Sequence, residues 1–168
     1  MKKTGLIYSF NSPRSARLAK KIQDELGKDN IDMINAEDIT EEKFLSYDNL
    51  ILGVPTWFDG ELPNYWDEFV PALEDMNLKG KTIAIFGAGD QKGYPENFVD
   101  GIGIMADLLS GRGAKIVGET SAEGYSFENS KALRNGKFIG LALDLDNHSK
   151  LIDDKINKWA DQLKKDFK

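Results

Sequence analysis

The chain contains Thr82-Ile83-Ala84-Ile85-Phe86, an apolar run that leads directly into Gly87-Ala88-Gly89-Asp90. The apolar run predicts a buried strand, and the glycines predict a turn at the carboxyl end of that strand. Glycines leave backbone N–H groups uncovered there, and Tyr94 adds a flat side chain four residues after Asp90. Ligands of parallel sheets bind at this edge, so the stretch predicts a site for a planar ring.

The preceding apolar run also leads to an aromatic residue. Asn49-Leu50-Ile51-Leu52-Gly53-Val54 predicts another buried strand and continues into Pro55-Thr56-Trp57-Phe58-Asp59-Gly60. Either aromatic alone is explained by ordinary loop packing. Because Trp57 and Tyr94 follow consecutive strands, we expect them to form the two walls of one site.

Apolar runs and helical periods alternate along the whole chain, which is typical of a parallel sheet with crossover helices. The predicted fold class is α/β, a three-layer, doubly wound, five-stranded parallel sheet of order 2-1-3-4-5. Strands are predicted at 4–9, 31–34, 49–54, 82–86 and from 115, and helices at 13–26, 41–45, 63–76, 97–112 and 149–166. The polar segment 119–138 is predicted to be a loop inserted in the last strand, which resumes at 138–143.

Length and composition narrow the function classes. The 168 residues predict a single domain spanning 1–168. The absence of cysteine excludes disulfides and thiolate chemistry, so redox chemistry requires a bound organic cofactor. No apolar run approaches the roughly 18 residues that a membrane span needs. Met1-Lys2-Lys3-Thr4 leads straight into a strand rather than a signal peptide, so we expect a cytoplasmic protein without membrane insertion. We also expect it to be a monomer.

Charge is distributed unevenly along the chain. Residues 1–28 carry 7 Lys/Arg and 2 Asp/Glu, residues 29–100 carry 4 and 16, and residues 101–168 carry 11 and 10. The acidic excess therefore lies on the segment that holds both aromatic loops. It argues against nucleic acid as a partner. The acidic surface keeps the protein soluble, steers a basic partner protein, or does both.

The first predicted strand leads into a serine-rich loop, Ser9-Phe10-Asn11-Ser12-Pro13-Arg14-Ser15. Ser12 is a good N-cap, and Pro13 suits the first helical position. The N–H groups that follow, the serine hydroxyls and the Arg14 guanidinium predict a phosphate site at the positive end of the helix. The alternative is an ordinary serine cap with an exposed arginine.

The serine-rich loop and the two aromatic loops all lie at carboxyl ends of central strands in the predicted order. One phosphate cradle and two aromatic walls indicate a flavin mononucleotide (FMN) site. The chain lacks the Gly-x-Gly-x-x-Gly run that a dinucleotide requires after the first strand.

Further motifs extend this pattern over essentially the whole chain: Pro55-Thr56-Trp57, Gly60-Glu61-Leu62, Gly89-Asp90-Gln91-x-Gly93-Tyr94, Asn97-Phe98, Gly124-Tyr125 and the run 131–144. With these residues the chain resembles a flavodoxin of the long-chain type. The resemblance implies a flavodoxin-like fold and a low-potential one-electron carrier with noncovalent FMN. It also implies redox partners such as a ferredoxin-NADP reductase type flavoenzyme, photosystem I or a low-potential acceptor reductase.

The resemblance also implies roles for residues of this chain. Ser12 and Ser15 would bind the phosphate, Trp57 and Tyr94 would cover the two ring faces, and Asp146 would lie near the ring or ribityl chain. The full predicted cofactor site comprises Ser9, Phe10, Asn11, Ser12, Pro13, Arg14, Ser15, Pro55, Thr56, Trp57, Phe58, Asp59, Gly60, Ala88, Gly89, Asp90, Tyr94, Asn97, Phe98, Asp100 and Asp146. No catalytic and no metal-binding residue is expected.

Three positions depart from the family pattern. Phe10 replaces a hydroxyl residue and Pro13 replaces a glycine, so two hydrogen-bond donors to phosphate are lost. We expect FMN still to bind, with Arg14 carrying part of the interaction. Asp59 stands where the family has a neutral residue, and its carboxylate lowers the reduction potential only if it faces the ring.

The first alternative function is a flavodoxin-like FMN-dependent quinone or NAD(P)H oxidoreductase, because the same site can transfer hydride. A redox-silent flavin-binding module is a second alternative. A response regulator on the same topology requires an aspartate where this chain has Gly53-Val54-Pro55, and is excluded. The only histidine, His148, is expected to be merely solvated.

Overall fold

The computed structural model describes residues 1–168. Its strands are β1 (Thr4–Tyr8), β2 (Ile31–Asn35), β3 (Asn49–Gly53), β4 (Thr82–Ala88), β5 (Lys115–Val117), β6 (Thr120–Ser121), β7 (Leu133–Arg134), β8 (Lys137–Phe138) and β9 (Leu141–Leu143). Its α-helices are α1 (Pro13–Leu26), α2 (Glu41–Leu45), α3 (Asn64–Asp67), α4 (Val70–Glu74), α5 (Asp100–Gly111) and α6 (Ile152–Asp166), with 3-10 turns at Lys28–Asn30, Ala36–Asp38 and Ser149–Leu151.

The parallel sheet has the order β2-β1-β3-β4-β5, which confirms the predicted topology. Two chain segments fill its last position. β5 pairs with Thr82–Ala84 of β4, and β9 pairs with Phe86–Ala88 of the same strand. The segment between them carries the small antiparallel sheet β6-β8-β7. The fifth strand is thus interrupted by an insertion, as predicted.

Two predicted elements are divided in the structure, and the helix predicted at 97–112 begins only at Asp100. The strand predicted at 138–143 is divided, because Phe138 belongs to β8 and only Leu141–Leu143 return to β4. The helix predicted at 63–76 is two short helices, with Pro71 in the first turn of α4. Proline has no N–H to donate to the carbonyl four residues earlier, so a continuous helix is interrupted there.

A separate apolar core covers each face of the sheet. On one face α1 and α6 bury Leu18, Ile22 and Trp159, and on the other α3 to α5 bury Trp66 and Ile102. Both buried indoles find carbonyl partners: Trp66 Nε1 donates to the Gly53 oxygen (2.9 Å) and Trp159 Nε1 to the Gly118 oxygen (2.8 Å). These hydrogen bonds fix the helices against the sheet and leave neither indole N–H unpaired.

None of the helices combines the length and apolar character that crossing a membrane requires.

Candidate functional site

Three loops meet where β1, β3 and β4 end: the serine loop (residues 9–15), the aromatic turn (57–60) and the Asp90 loop (89–94). They surround two adjoining cavities of 690 and 380 Å³. The cavities share the residues Thr56, Trp57, Ala88, Gly89, Asp90 and Tyr94. The shared lining makes one elongated cleft, which runs from the N-terminus of α1 to the aromatic side chains.

Trp57 and Tyr94 line both parts of the cleft and are 36% and 62% exposed. The Trp57 backbone is fixed by two hydrogen bonds with Glu61, each 2.8 Å long. Its indole packs edge-on against Tyr65, with ring centroids 5.8 Å apart. Burial raises the pKa of Tyr65, whose hydroxyl has no hydrogen-bond partner. Tyr65, which the sequence motifs did not single out, therefore supports the Trp57 indole through this edge-on contact.

The aromatic turn is held in an unusual backbone conformation. Phe58 has a φ of 50° although its side chain is 71% exposed, and Gly60 has a φ of 90°. A Cβ on Gly60 would lie 2.6 Å from Asp100 Oδ2. Gly60 is thus required both by its left-handed backbone and by the close approach of Asp100.

The Asp90 loop is closed by its own carboxylate. Asp90 Oδ1 accepts hydrogen bonds from the N–H groups of Gly93 (2.9 Å) and Lys92 (3.1 Å) and from Asn147 Nδ2 (2.9 Å). The Gly93 N–H, with Asn147 and Lys92, lowers the pKa of Asp90. The carboxylate stays charged and keeps the loop folded against the cleft.

A buried network anchors this loop from below. Asp144 is fully buried and accepts hydrogen bonds from Gln91 N (3.1 Å) and Nε2 (2.8 Å), and also from Asn147 N (3.0 Å) and Nδ2 (2.8 Å). Gln91 Oε1 accepts from Ser126 N at 2.6 Å, which ties the inserted segment to the same network. Asp144 ends one of the sequence motifs, but the sequence does not show its link to the Asp90 loop, because Gln91 lies 53 residues away.

His148 is not merely solvated. It is half-buried, its ring packs edge-on against Tyr125 at 5.2 Å, and its Nε2 lies 3.2 Å from Gln91 Nε2. The expectation for this residue was wrong because its polar sequence neighbours do not reveal Tyr125, which the inserted segment brings from elsewhere in the chain.

The serine loop begins α1 as the sequence predicts. Ser12 caps the helix and accepts from Ser15 N at 3.4 Å. The Arg14 N–H has no intramolecular partner, and neither the Ser12 nor the Ser15 hydroxyl donates a hydrogen bond within the chain. These free donors line the larger part of the cleft at the positive end of the helix.

The other polar side chains of the serine loop are bound to a carboxylate. The buried Ser9 hydroxyl donates to Glu37 Oε2 at 2.6 Å, and Asn11 Nδ2 donates to the same oxygen at 2.8 Å. These hydrogen bonds, that from Ser9 foremost, lower the pKa of Glu37. Sequence motifs do not mark Glu37, which lies in the 3-10 turn that follows β2, the neighbour of β1.

Arg14 is also paired with a carboxylate. Its Nη1 and Nη2 donate to Asp146 Oδ2 and Oδ1, each at 2.9 Å. This two-pronged contact lowers the pKa of Asp146. The pair is exposed, with 55% and 36% of the two side chains accessible, and both residues line the cleft.

Oxygen atoms of Asp90, Asp144 and Asp146 lie within 4.8 Å of one another. Hydrogen bonds already occupy both Asp144 oxygens, and Arg14 holds both oxygens of Asp146. These contacts describe a hydrogen-bonded cluster rather than a set of metal ligands.

The cleft brings together fifteen of the predicted site residues: Ser12, Pro13, Arg14, Ser15, Pro55, Thr56, Trp57, Phe58, Ala88, Gly89, Asp90, Tyr94, Asn97, Phe98 and Asp146. Six others lie outside its lining: Ser9, Phe10, Asn11, Asp59, Gly60 and Asp100. Phe10 is 49% exposed and packs against Tyr8, and Asp59 is exposed. Val99 lines the cleft without having been predicted.

Comparison with known proteins adds independent findings. Residues 7–159 match the family described as Flavodoxin. A flavodoxin of Nostoc sp. is 46% identical over 99% of this chain and 98% of the relative. Flavodoxin 1 of Escherichia coli is 40% identical, over 98% of this chain and 94% of the relative. Among solved structures, the Fusobacterium nucleatum flavodoxin bound to flavin mononucleotide has a TM-score of 0.94 and 34% identity, with 100% of both chains covered.

Proposed function

The chain belongs to the flavodoxin family and is an FMN-based electron carrier rather than an enzyme, and we propose how its own residues hold the cofactor and which proteins it serves. Bound FMN supplies reversible transfer of single electrons. The observation that supports our assignment of the site is one cleft that joins two aromatic side chains to the free donors of a helix N-terminus.

The residues of the cleft fit this cofactor. A flat ring requires apolar walls, which Trp57 and Tyr94 provide. A phosphate requires N–H and O–H donors, and the Arg14 N–H with the Ser12 and Ser15 hydroxyls is unpaired within the chain. The N–H groups of Thr56 and Asp90 also lack intramolecular partners and lie between these two ends.

We assign the ring to the space between Trp57 and Tyr94, with the backbone of Thr56, Ala88, Gly89 and Asp90 along its edges. These side chains exclude water from the ring faces. The negative charge of Asp90, kept by its lowered pKa, disfavours further negative charge nearby. This arrangement supports a low reduction potential.

The N-terminus of α1 receives the phosphate in this assignment. Ser12 and Ser15 donate hydroxyl hydrogen bonds, and the Arg14 backbone adds an N–H. Ser9 and Asn11 stabilise the serine loop instead, because their side chains already donate hydrogen bonds to Glu37. Phe10 and Asp59, which lie outside the cleft lining, contribute no direct contact.

Flavodoxins carry electrons between redox proteins, and the partners of this chain are proposed more narrowly. A ferredoxin-NADP reductase type flavoenzyme, photosystem I or a low-potential acceptor reductase would dock where Trp57, Phe58 and Tyr94 are exposed. We further propose that residues 1–168 act as one FMN-binding domain, as a monomer in the cytoplasm.

The visible spectrum of the purified protein tests the proposal. We expect yellow protein that releases FMN on denaturation and that consumes no NAD(P)H unless a partner reductase is added. Colourless protein that takes up no FMN would contradict the assignment of the cleft. Rapid NAD(P)H consumption by the protein alone would support the oxidoreductase alternative instead.

A further inference from the structure

Arg14 is the only cationic side chain in the cleft lining, and the Asp146 carboxylate occupies the Nη1–Nη2 edge of its guanidinium. The two N–H···O bonds are parallel and each 2.9 Å long. A phosphate monoester presents the same pair of oxygens to a guanidinium. The Asp146 carboxylate thus makes with Arg14 the contact that a phosphate in the same cleft would make.

The ion pair is easily exchanged. Both side chains are exposed by a third or more, and exposed pairs of this kind contribute little to stability. Asp146 is also fixed near the cleft independently of Arg14, because its backbone N–H donates to Asp144 Oδ1 at 3.2 Å. Releasing Arg14 therefore leaves the carboxylate in the wall, close to the position that a phosphate would take.

We propose that Asp146 is a specificity-determining residue that competes with the FMN phosphate for Arg14 and so weakens the preference of this protein for FMN over riboflavin. The proposal rests on the function given above and deepens it. Two effects act in the same direction: the Nη1–Nη2 edge of Arg14 must leave Asp146 before that edge can pair with phosphate, and the freed carboxylate then repels the phosphate.

Titration of flavin into apoprotein, followed by quenching of flavin fluorescence, tests the proposal. Asp146→Asn should bind FMN about fivefold more tightly than wild type, the size expected for release of an exposed ion pair. Riboflavin, which lacks the phosphate, should bind both proteins equally. The gain for FMN should shrink as salt is raised, because the charges are exposed.

An Arg14→Ala variant distinguishes competition for Arg14 from simple repulsion between Asp146 and the phosphate. In an Arg14→Ala background, Asp146→Asn should improve FMN binding clearly less than in wild type. An equal gain in both backgrounds would contradict competition for Arg14. Asp153→Asn on α6 removes the same charge far from the cleft, where Asp153 pairs with Lys21, and should leave both flavin affinities unchanged.

Two other results for Asp146→Asn would overturn the proposal. Weaker FMN binding by Asp146→Asn would mean that Asp146 orients Arg14 toward the phosphate, and would overturn the proposal. So would a gain that riboflavin shares. If none of the proteins binds either flavin, the function itself is wrong; if flavins bind without the selective gain, only this inference fails.

Discussion

The Asp90 loop and the serine loop each follow a central strand and line the same cleft, but they are held by different contacts. The Asp90 loop rests on Asp144, which is fully buried and accepts hydrogen bonds on both oxygens. The serine loop is held by Glu37 and by the exposed Arg14–Asp146 pair. Buried, satisfied networks rigidify, whereas exposed pairs exchange with solvent and ligands. One end of the cleft is therefore fixed before a ligand binds, and the other end can adapt.

Asp144→Ala should destabilise the Asp90 loop more than any other single change. It leaves the backbone N–H groups of Gln91 and Asn147 without an acceptor, and we expect the free energy of unfolding to fall by about 3 kcal/mol. Urea unfolding followed by circular dichroism measures this loss. Asp161→Ala, an exposed residue of α6, is the control and should change stability little. A loss below about 1 kcal/mol for Asp144→Ala would show that the network does not fix the Asp90 loop.

Trp57→Ala removes one wall of the cleft at its fixed end. Stacking of a flat ring on an aromatic side chain contributes about 2 kcal/mol, so FMN affinity should fall about thirtyfold. Fluorescence titration of the apoprotein gives the affinity, and Trp57→Phe, which keeps an aromatic face, should lose less. Equal losses for the two variants would indicate that the indole does more than stack.

Gly60→Ala tests the aromatic turn, with Gly80→Ala as a matched control. Both glycines have positive φ, 90° and 87°, but no atom lies within 4 Å of a Cβ on Gly80. We expect about 1 kcal/mol of destabilisation at Gly80 and about 2 kcal/mol at Gly60, where Asp100 must also move. Thermal or urea unfolding of both variants measures the difference. Equal costs would mean that the Asp100 contact relaxes freely.

Acid should lower the stability that the carboxylates of both loops provide. We expect Glu37→Gln to reduce this pH dependence slightly, the smallest of the predicted effects. Hydrogen bonds hold the pKa values of Asp90, Asp146 and Glu37 below the ordinary 3.8 and 4.5. Groups with lowered pKa stabilise the folded state above those ordinary values, and the contribution is lost as pH falls through the lowered ones. Unfolding free energies measured from about pH 6 to about pH 3 should decline less steeply in Glu37→Gln. If the pH dependence of the unfolding free energy were unchanged in Glu37→Gln, Glu37 would not contribute to the loss of stability in acid.

Local patterns in the sequence predict the central fold well. The apolar runs of β1 to β4 and the Ser12-Pro13 start of α1 are short-range signals, and they lie where expected. The break at Pro71 was available from the same rules but was outweighed by the apolar period around it. The division of the strand at Phe138 could not be predicted from local rules, because pairing of β8 with β6 and β7 determines it.

The candidate site was predicted less completely, for a physical reason. Motifs indicate which backbone and aromatic groups surround the cleft, but they do not show which side chains pair across the chain. Glu37 binds a residue 28 positions earlier, and Asp146 binds one 132 positions earlier. Such pairs depend on strand order and register, so the engagement of Ser9 and Arg14 by carboxylates became visible only in three dimensions.

The division of the last sheet position between β5 and β9 also makes this edge of the sheet a poor partner for a foreign strand. Each of these edge strands is only three residues long, and the chain leaves the edge between them. A foreign strand needs a long, regular row of free N–H and C=O groups to add to a sheet. The insertion interrupts that row, so this margin of the sheet offers no template for fibril growth.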